Sequence, residues 1–455
     1  MYLSFIDVFV VVIIILLVLV VAFISFALLR TTFYKNPYIK AIRKPNLSSG
    51  KIDEYQKSLE TMLTNRLDKA LLDLFPNAMI KGKLVYFKSG LMYIYRNNEI
   101  DAMNILVDVP LKSLDPNEVE FDNQFIIGNN TYRSKTELYT IMDAIETTLQ
   151  DDGDLKLNIR VLMYDRSQTN NEMITYLFDK GIKFDLIIGE GGKILDPLST
   201  NLPSYYSFSG VGVNEKVTYK FKTKKQAKGN LRLSAFIGEM LNDNLFNLKS
   251  NKELLKFALF VGKDMSFGNR FIINNILWLP KVGEKLIDDE IKFISSAWRT
   301  YFVFDELYSS EDECYIYCDF YLANSETIDD VNLAISKLLT KYGVEFEVVS
   351  SSEKTRITNI RSRNFKRFTD VVDRTITDTY FTPYIINSDV SDRDIEKLGR
   401  CVIRFSPLYY PKEVLDGESE KEMVSYTSID RAINFYEELI KEFSKYDGKY
   451  TKEQI

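Results

Sequence analysis

The sequence predicts an α/β fold with a parallel-rich sheet, interrupted by a small α+β domain and preceded by one transmembrane helix. Short β-rich runs alternate with helical runs over residues 51–206 and again over 343–455, which is typical of a largely parallel sheet between helices. Residues 207–342 have a different pattern, with strands around two helical runs, and predict the inserted α+β domain. The 455 residues are 45% hydrophobic and 27% charged, a composition that supports two or three domains with their own cores.

A continuous apolar run at residues 8–29 predicts the transmembrane helix, since about 20 apolar residues span a bilayer core of about 30 Å. A cleaved signal peptide is the alternative, but it would need a positively charged start, a shorter apolar core and a small-residue cleavage site. Only Asp7 precedes the run. Basic residues follow it closely: Arg30, Lys35, Lys40, Arg43 and Lys44. The positive-inside rule therefore predicts that the large domain lies on the cytoplasmic side.

The elements follow in order. Residues 30–50, with Pro37 and Pro45, predict a juxtamembrane linker, and apolar residues at helical spacing predict a helix over 52–74 that ends near Pro76. In the first α/β part, strands are predicted at 82–87, 91–96, 103–109, 157–164 and 184–189, and helices at 134–149 and 170–180. In the inserted part, strands are predicted at 216–222, 297–304 and 313–322, and helices at 231–242 and 328–341. The first pattern is predicted to return with 344–350, 364–376 and 401–405 and with a helix at 429–446.

Charge and cysteine content exclude some functions. The net charge of −6 and the pI near 5.3 leave no basic excess for phosphates, so nucleic acid is not an expected partner. Cys314, Cys318 and Cys401 form no CxxC pair and read as buried thiols, the first two on one strand. The chain contains no histidine. Any mechanism must therefore work without the commonest neutral metal ligand and the usual general base near pH 7.

Several segments in order resemble the M20 family of metallopeptidases, in particular its membrane-anchored carboxypeptidase and N-acyl amino acid hydrolase branch. Ile105-Leu-Val-Asp-Val-Pro110 resembles the family's His-x-Asp-Val-Val-Pro loop, and the end of Gly181-Ile-Lys-Phe-Asp-Leu-Ile-Ile-Gly-Glu-Gly-Gly192 resembles its Asp-Glu-Gly-Gly turn. Further similar segments are Phe125-Ile-Ile-Gly128 with Lys135, Ala144-Ile-Glu146, Arg299-Thr300, Asp319 to Thr327, Arg404-Phe-Ser-Pro407 and Ala432 to Ile440.

The resemblance implies a catalytic α/β domain and an inserted α+β domain that dimerises in many members. It also implies two zinc ions held by two histidines and three carboxylates, one of them bridging, with a separate glutamate as general base on the metal-bound water. Such dications need imidazole and carboxylate groups as direct ligands.

This chain departs from that pattern at nearly every ligand. The first histidine falls on Ile105 or Leu106, and the second falls near Asp416 or Glu418. The other departures are Arg133 and Ser134 for the paired aspartates, Asp165-Arg166-Ser167 for Asp-Glu-Glu, Gly189 for the aspartate of Asp-Glu-Gly-Gly, Tyr321 for the substrate arginine and a position near Tyr308 for its partner asparagine. We therefore expect no zinc, no other cofactor and no catalytic residue of the family's kind, because two cations beside Arg133 and Arg166 would be electrostatically unfavourable.

Three acidic residues remain near the implied pocket: Asp108, Asp165 and Glu190. They are the candidate site residues, able to bind one cation or to act as acid and base. The alternative is structural: Asp108 caps a loop before Pro110, Asp165 ends a strand, and Glu190 hydrogen-bonds the backbone of its glycine-rich turn.

Two functional hypotheses follow. The first is a membrane-anchored, catalytically inactive M20 homologue that binds a peptide-like ligand or a partner protein, as a homodimer or as a heterodimer with an active homologue. The second is an active metal-dependent carboxypeptidase or amidase whose rearranged site lacks histidine. Lysines 222, 224, 225 and 228 are either a solvated loop or a contact to anionic lipid headgroups.

Overall fold

The computed structural model describes most of the chain. The described residues are 5–33, 47–97, 101–111, 119–128, 135–165, 171–195, 205–224, 229–242, 245–246, 261–263, 265–276, 278–279, 281–283, 285–286, 299–310, 312–323, 326–386, 390–410 and 422–448.

The apolar run forms a helix, α1 (Phe5–Phe33), of 29 residues. The span Phe9–Thr32 contains an 18-residue window with a mean hydropathy of 3.6, and the rest of the protein buries no part of that window. A helix of this length and composition can cross a membrane, which agrees with the prediction for residues 8–29. It ends where Arg30 lies in its last turn and Thr31 Oγ1 donates to the carbonyl of Ala27 at 2.7 Å.

The helix predicted over 52–74 is two helices, and a third follows directly after it. Helix α2 (Ser49–Thr64) begins at the cap residue Ser48, α3 (Leu67–Leu74) follows after a break at Asn65, and α4 (Pro76–Lys81) comes next. Pro76 was expected to end a helix and instead begins one. Proline is tolerated in a first turn because the backbone N–H that it lacks has no partner within the helix there.

The central sheet contains ten strands of the described chain, and its main order is β1-β2-β6-β3-β7-β15-β9-β8-β16, with β14 paired to β9. These strands are β1 (Lys83–Phe87), β2 (Gly90–Tyr95), β3 (Met103–Leu111), β6 (Leu157–Asp165), β7 (Leu186–Gly189), β8 (Lys193–Leu195), β9 (Tyr205–Val213), β14 (Thr379–Ile386), β15 (Val402–Arg404) and β16 (Tyr409–Tyr410). Strands β6, β3, β7 and β15 run parallel to one another, so the centre of the sheet is parallel as predicted.

Both faces of this parallel centre are covered, because the side chains of β3 alternate between two cores. Ile105 and Val107 belong to one apolar cluster, which includes residues of α2, of α5 (Lys135–Asp152), of α10 (Arg363–Thr375) and of α11 (Tyr426–Phe443). Leu106 belongs to a second cluster on the other face, with residues of α6 (Asn171–Asp179) and of the 3-10 helix Arg393–Lys397. Burial on both faces explains the nearly continuous apolar sequence of the strand.

The inserted region forms a separate four-stranded sheet in the order β11-β12-β10-β13. Its elements are β10 (Lys216–Lys224), α7 (Gly229–Asn242), α8 (Phe267–Asn274), β11 (Tyr301–Ser309), β12 (Glu313–Tyr321), α9 (Ile328–Tyr342) and β13 (Glu345–Ser352). Cys314 and Cys318 are buried free thiols on β12, as predicted, and Cys401 is a buried free thiol before β15. A third sheet, β17-β5-β4, joins β4 (Glu120–Phe121), β5 (Phe125–Gly128) and β17 (Glu422–Ser425).

The chain changes sheets at other points than the predicted limits of 207 and 342. Strand β9, part of which was predicted to lie in the inserted region, pairs with β14 and β8 in the central sheet. Strand β13, predicted as a return to the first pattern, pairs with β10 in the inserted sheet. The alternation of apolar residues marks a strand but not its partner, so the sequence did not determine which sheet these two segments join.

The two connections between the sheets are hydrogen-bonded to each other. The outgoing one is only Asn214 and Glu215, between β9 and β10, and Asn214 is buried. The returning one passes Thr355, whose backbone N–H donates to Val213 O at 2.9 Å and whose Oγ1 accepts from Val213 N at 2.7 Å. Arg393 Nη1 donates to Asn214 O at 2.8 Å, so the crossing is tied to the 3-10 helix as well.

Candidate functional site

The candidate residues lie at or near the carboxyl ends of adjacent parallel strands. Asp108 is on β3, Asp165 ends β6, and Glu190 directly follows β7. Since these strands are neighbours in the order β6-β3-β7-β15, their carboxyl ends share one edge of the sheet, where α/β proteins commonly bind ligands. Asp165 is half-buried, and its backbone N–H donates to Ser89 O at 3.2 Å.

Asp108 and Glu190 are linked through two hydroxyl groups. Tyr164 OH lies 3.0 Å from Asp108 Oδ2 and 2.8 Å from Ser391 Oγ. Ser391 Oγ lies 2.9 Å from Glu190 Oε2, which also accepts from the Ser391 backbone N–H at 3.3 Å. Asp108, Tyr164 and Glu190 are all buried. Burial, Asp108 and Asp392 all raise the pKa of Tyr164, so its hydroxyl keeps its proton.

The three oxygen–oxygen contacts of this chain need three protons. The hydroxyls of Tyr164 and Ser391 supply one each, since a hydroxyl carries a single donor. An ionised carboxylate only accepts, so with both carboxylates ionised one contact would bring two lone pairs together inside the protein. The contacts are all satisfied when one of the two acids, Asp108 or Glu190, contributes a proton. Asp108 and Glu190 are therefore connected by a relay of two hydroxyl groups.

A buried ion pair lies against the same turn. Arg404 Nη1 pairs with Asp392 Oδ1, and the side chains are 1% and 0% exposed. Asp392 Oδ2 accepts from the Glu190 backbone N–H at 3.1 Å, and Arg404 Nη2 lies 4.0 Å from Glu396 Oε1. Burial lowers the pKa of Arg404, but the carboxylate of Asp392 outweighs it and raises that pKa overall. Burial raises the pKa of Asp392, against the opposing effect of the Arg404 guanidinium.

This ion pair fills the space beside Gly189. A Cβ atom added at Gly189 would overlap Asp392 Oδ2 and would lie 3.2 Å from Arg404 Nη1. The M20 pattern has a metal-binding aspartate at this position. In this protein the volume for that side chain holds the carboxylate of Asp392, which the guanidinium of Arg404 already neutralises.

The described residues do not fit a two-zinc centre. Within the described ranges, no three acidic or cysteine side chains lie together in the way that a metal ion requires. Ile105 and Leu106, one of which replaces the first histidine, are both 0% exposed in apolar clusters. The predicted replacements Arg133, Ser134, Arg166, Ser167, Asp416 and Glu418 lie outside the described residues.

The two positions predicted to replace the family's substrate-binding residues, Tyr321 and one near Tyr308, are in the inserted sheet. Tyr321 stacks on Tyr301 with ring centroids 4.8 Å apart, and Tyr308 stacks on Tyr315 at 5.4 Å. Both are aromatic ring contacts across β11 and β12.

Sequence reasoning missed three members of the site: Tyr164, Ser391 and Asp392. Tyr164 directly precedes the candidate Asp165, so its position at a strand end was a usable signal. Ser391 and Asp392 lie about 200 residues from Glu190 in the chain and match no motif, so nothing local in the sequence pointed to them.

A cavity of about 820 Å³ opens at the opposite edge of the sheet, beside Phe184 and Cys401 before β7 and β15. Its lining is rich in basic residues: Lys183, Arg356, Arg361, Arg363, Lys397 and Arg400. It is therefore separate in place and in charge from the acidic site at the carboxyl ends.

Comparison with solved structures identifies the class of fold. An M20 family metallo-carboxypeptidase, Sso-CP2 from Sulfolobus solfataricus, aligns with a TM-score of 0.56 and 14% identity over 87% of this chain and 99% of its own. Human carnosine dipeptidase 1 aligns with a TM-score of 0.57 and 9% identity, covering 88% and 97%. The di-peptidase Dug1p of Saccharomyces cerevisiae aligns with a TM-score of 0.59 and 10% identity, covering 88% and 98%.

The chain therefore has the fold of the M20 metallopeptidases, as the sequence resemblance predicted. No protein family model and no curated protein matches the sequence itself. At these identities the likeness is one of fold.

Proposed function

We propose that this protein is a membrane-anchored protein of the M20 fold that binds a peptide-like ligand or a partner protein and does not perform two-zinc hydrolysis. The observation that carries the proposal is the filled space beside Gly189. A buried Asp392–Arg404 pair takes the place of a ligand carboxylate there. Because the guanidinium already neutralises the carboxylate, the pair offers no net negative charge to a metal.

The other substitutions support the same proposal. The whole chain has no histidine, so two of the five family ligands cannot be present anywhere in the sequence. Asp108, the acidic residue of the first loop motif, has its Oδ2 in contact with the Tyr164 hydroxyl. The Asp108 carboxylate therefore serves as a hydrogen-bond acceptor within the core, where its oxygen faces the Tyr164 hydroxyl.

Anchoring by α1 is the second part of the proposal. The helix is long and apolar enough to cross a bilayer, and its large apolar side chains, such as Leu17 and Val18, are 58% and 61% exposed. Water would solvate such a surface at a large cost, whereas lipid would not. The basic residues that follow the helix favour the cytoplasmic side for the large domain.

The proposed ligand class comes from the neighbours in fold. Two of them are described as a carnosine dipeptidase and a di-peptidase, so a peptide or an N-acyl amino acid is the first class to test. Full-length protein in detergent should show saturable heat of binding in titrations with a dipeptide series or an N-acyl amino acid series. Absence of binding across both series would leave a partner protein as the proposed ligand.

Metal analysis tests the loss of hydrolysis. The full-length protein, purified without chelator, should contain far less than one zinc or manganese ion per chain, and it should not cleave dipeptides or N-acyl amino acids with either metal added. The alternative is a hydrolase with a rearranged site built on Asp108, Asp165 and Glu190. Near-stoichiometric metal together with amidase activity that a chelator abolishes would establish that alternative and refute our proposal.

Pairing through the inserted sheet is the third part of the proposal. Its edge strands β11 and β13 carry exposed apolar side chains, including Val303 at 52% and Val349 at 52%. Open strand edges with apolar side chains are suited to pairing with a second chain. Sedimentation of the detergent-solubilised protein should show a dimer, and Val349→Lys should shift it to monomer. A monomer at all concentrations would contradict this part alone.

A further inference from the structure

Part of the inserted region packs on the end of α1. Trp278 stacks on Phe23 with ring centroids 3.7 Å apart and an interplanar angle of 19°, and it lies 6.4 Å from the ring of Phe26. Trp278 follows α8 by a short turn, in which its backbone N–H donates to Asn275 O at 2.9 Å. We call the described residues of 265–283 the α8 segment.

Arg270 fixes the α8 segment to the last turn of α1. Its Nε donates to Thr31 O at 2.9 Å, and its Nη1 donates to Met265 O at 3.1 Å. Arg270 is 5% exposed and Thr31 is 0% exposed. The last four carbonyls of a helix have no partner within it, and a cation there also interacts favourably with the helix dipole. Arg270 supplies both the hydrogen-bond donor and the positive charge, so the position of α8 along α1 is defined.

That position places Trp278 at membrane depth. Thr32 ends the apolar span nine residues after Phe23, and a helix rises about 1.5 Å per residue. Phe23 thus lies about 13 Å inside the end of the span, or about 10 Å inside Arg30. Trp278, stacked on Phe23, shares this depth. This depth is below the headgroup level at which tryptophan is enriched in membrane proteins, so the ring would lie among the upper acyl chains.

The α8 segment also exposes apolar side chains that the protein does not cover. Phe267 is 53% exposed, Trp278 is 47% exposed and Val282 is 51% exposed. Exposed Lys281 and Lys285 follow Trp278 and are suited to lipid phosphates. Apolar side chains with adjacent basic residues are the pattern of elements that lie in the plane of a membrane interface.

We propose that the α8 segment is a second membrane contact, lying in the interfacial layer of the same leaflet as the end of α1, with Trp278 among the upper acyl chains. The partner is the lipid bilayer itself. The inference rests on the proposed anchoring by α1 and adds that the inserted region is held against the membrane surface. The protein would then have two membrane contacts, and α1 would not act as a free tether.

Depth-dependent quenching tests this directly, because the chain has only two tryptophans, Trp278 and Trp298. The variant Trp298→Phe leaves Trp278 as the only tryptophan. It is reconstituted at full length into phosphatidylcholine vesicles whose acyl chains carry bromine at shallow, middle or deep positions. We expect at least a twofold loss of Trp278 emission, strongest with bromine in the upper half of the chain, relative to the same protein in unbrominated vesicles.

A tryptophan at a second position controls for quenching that is specific to residue 278. With both native tryptophans changed to phenylalanine, Phe267→Trp should also be quenched, because Phe267 is exposed on the same segment. Vesicle flotation and thermal unfolding of each variant check insertion and folding. Protein that floats with the vesicles but whose tryptophans at 278 and 267 are not quenched would overturn this inference and leave the anchor intact. Protein that fails to float would overturn the anchor and this inference together.

Discussion

Gly189 has room for a hydrogen atom and for nothing larger, because Asp392 and Arg404 occupy the adjacent volume. Gly189→Asp, which restores the acidic residue of the M20 pattern, would force two carboxylates together and overpack the site. We expect it to lower the free energy of unfolding by about 3 kcal/mol or more, since overpacking alone costs about 1–3 kcal/mol. Denaturant unfolding in detergent measures the change.

Gly238→Ala is the matched control for steric crowding, because nothing lies within 4 Å of a Cβ atom added there. Gly238 is in α7, where alanine is the better helix former, so this change should be neutral or stabilising by up to about 1 kcal/mol. If Gly189→Asp is as stable as the native protein and gains bound metal, the filled-site account is refuted.

The hydroxyl relay between Asp108 and Glu190 gives a second residue-level prediction. Since one acid must donate a proton, either Asp108→Asn or Glu190→Gln should be tolerated, because an amide NH₂ supplies the same donor. The double variant supplies two donors where one is needed and should be destabilised by more than the sum of the single changes.

The infrared band of a protonated carboxyl group, followed near neutral pH, tests this count. It should be present in the native protein and absent from both single variants, because the amide supplies the donor and the remaining acid can ionise. Full tolerance of the double variant, or the absence of any such band in the native protein, would contradict the proton count.

At this scale the sequence predicted half of the relay. Asp108 and Glu190 were recognisable because each lies beside residues that match a motif. The groups that join them were not, since Tyr164 and Ser391 lie 227 residues apart in the sequence and meet only in the folded protein. A motif specifies which residue ends a strand but carries no information about a hydroxyl that arrives from a distant turn.

At the scale of elements, three helices bring carboxylates together. Asp143 on α5 faces Glu437 on α11 and Glu54 on α2, and burial followed by these two charges raises the pKa of Asp143 to about 6. An unfolded aspartate has a pKa of about 3.9, so between about pH 4 and pH 6 the folded state binds more protons. The contribution of Asp143 to stability is therefore complete below about pH 4 and is lost as the pH rises through 6.

In Asp143→Asn this loss should be absent. The change in the free energy of unfolding from pH 4 to pH 7 should therefore be more favourable than in the native protein by roughly 1–3 kcal/mol. Unfolding curves at a series of pH values measure it. Asp152→Asn, a change to an exposed residue at the end of the same helix, should leave the native pH profile in place. Equal profiles for all three proteins would show that Asp143 ionises normally.

Many strands were predictable at this scale, although β8, β9 and β14 were not predicted, and strand pairing was not predictable. Alternating burial along β10 and β12 follows directly from the sequence, since every second residue is apolar. The same alternation of apolar and polar residues suits either sheet. Whether β9 and β13 join the central or the inserted sheet therefore depends on which sheet edge lies nearby once the chain has folded. The break after α2 was missed for a similar reason, because apolar residues keep helical spacing through Asn65.

For the whole molecule, removal of residues 1–29 separates folding from membrane binding. The apolar side chains of α1 lie outside the central and inserted cores, so the remaining protein should keep its secondary structure by circular dichroism. It should also stay soluble while retaining weaker, salt-sensitive binding to anionic vesicles through the α8 segment. Complete loss of secondary structure would show that α1 is part of the fold.

The architecture of the whole molecule was the most predictable level. The sequence showed an α/β pattern that is interrupted by a region with a different arrangement of strands and helices. Together with motifs that match the M20 family in the right order, this predicted the M20 fold that the solved structures also support. What the sequence could not give was the packing at the site, because the arrangement of Asp392, Arg404 and Gly189 is a matter of volume and not of residue pattern.

The short crossing at Asn214 and Glu215 has a mechanical consequence. Because the outgoing and returning connections are bonded to each other and to Arg393, the two sheets share no slack segment that could serve as a free hinge. A force applied to the inserted sheet would be transmitted to the 3-10 helix, beside Ser391 and Asp392. If the α8 segment lies in a membrane as proposed, a load on the inserted sheet would therefore reach the residues beside the hydroxyl relay.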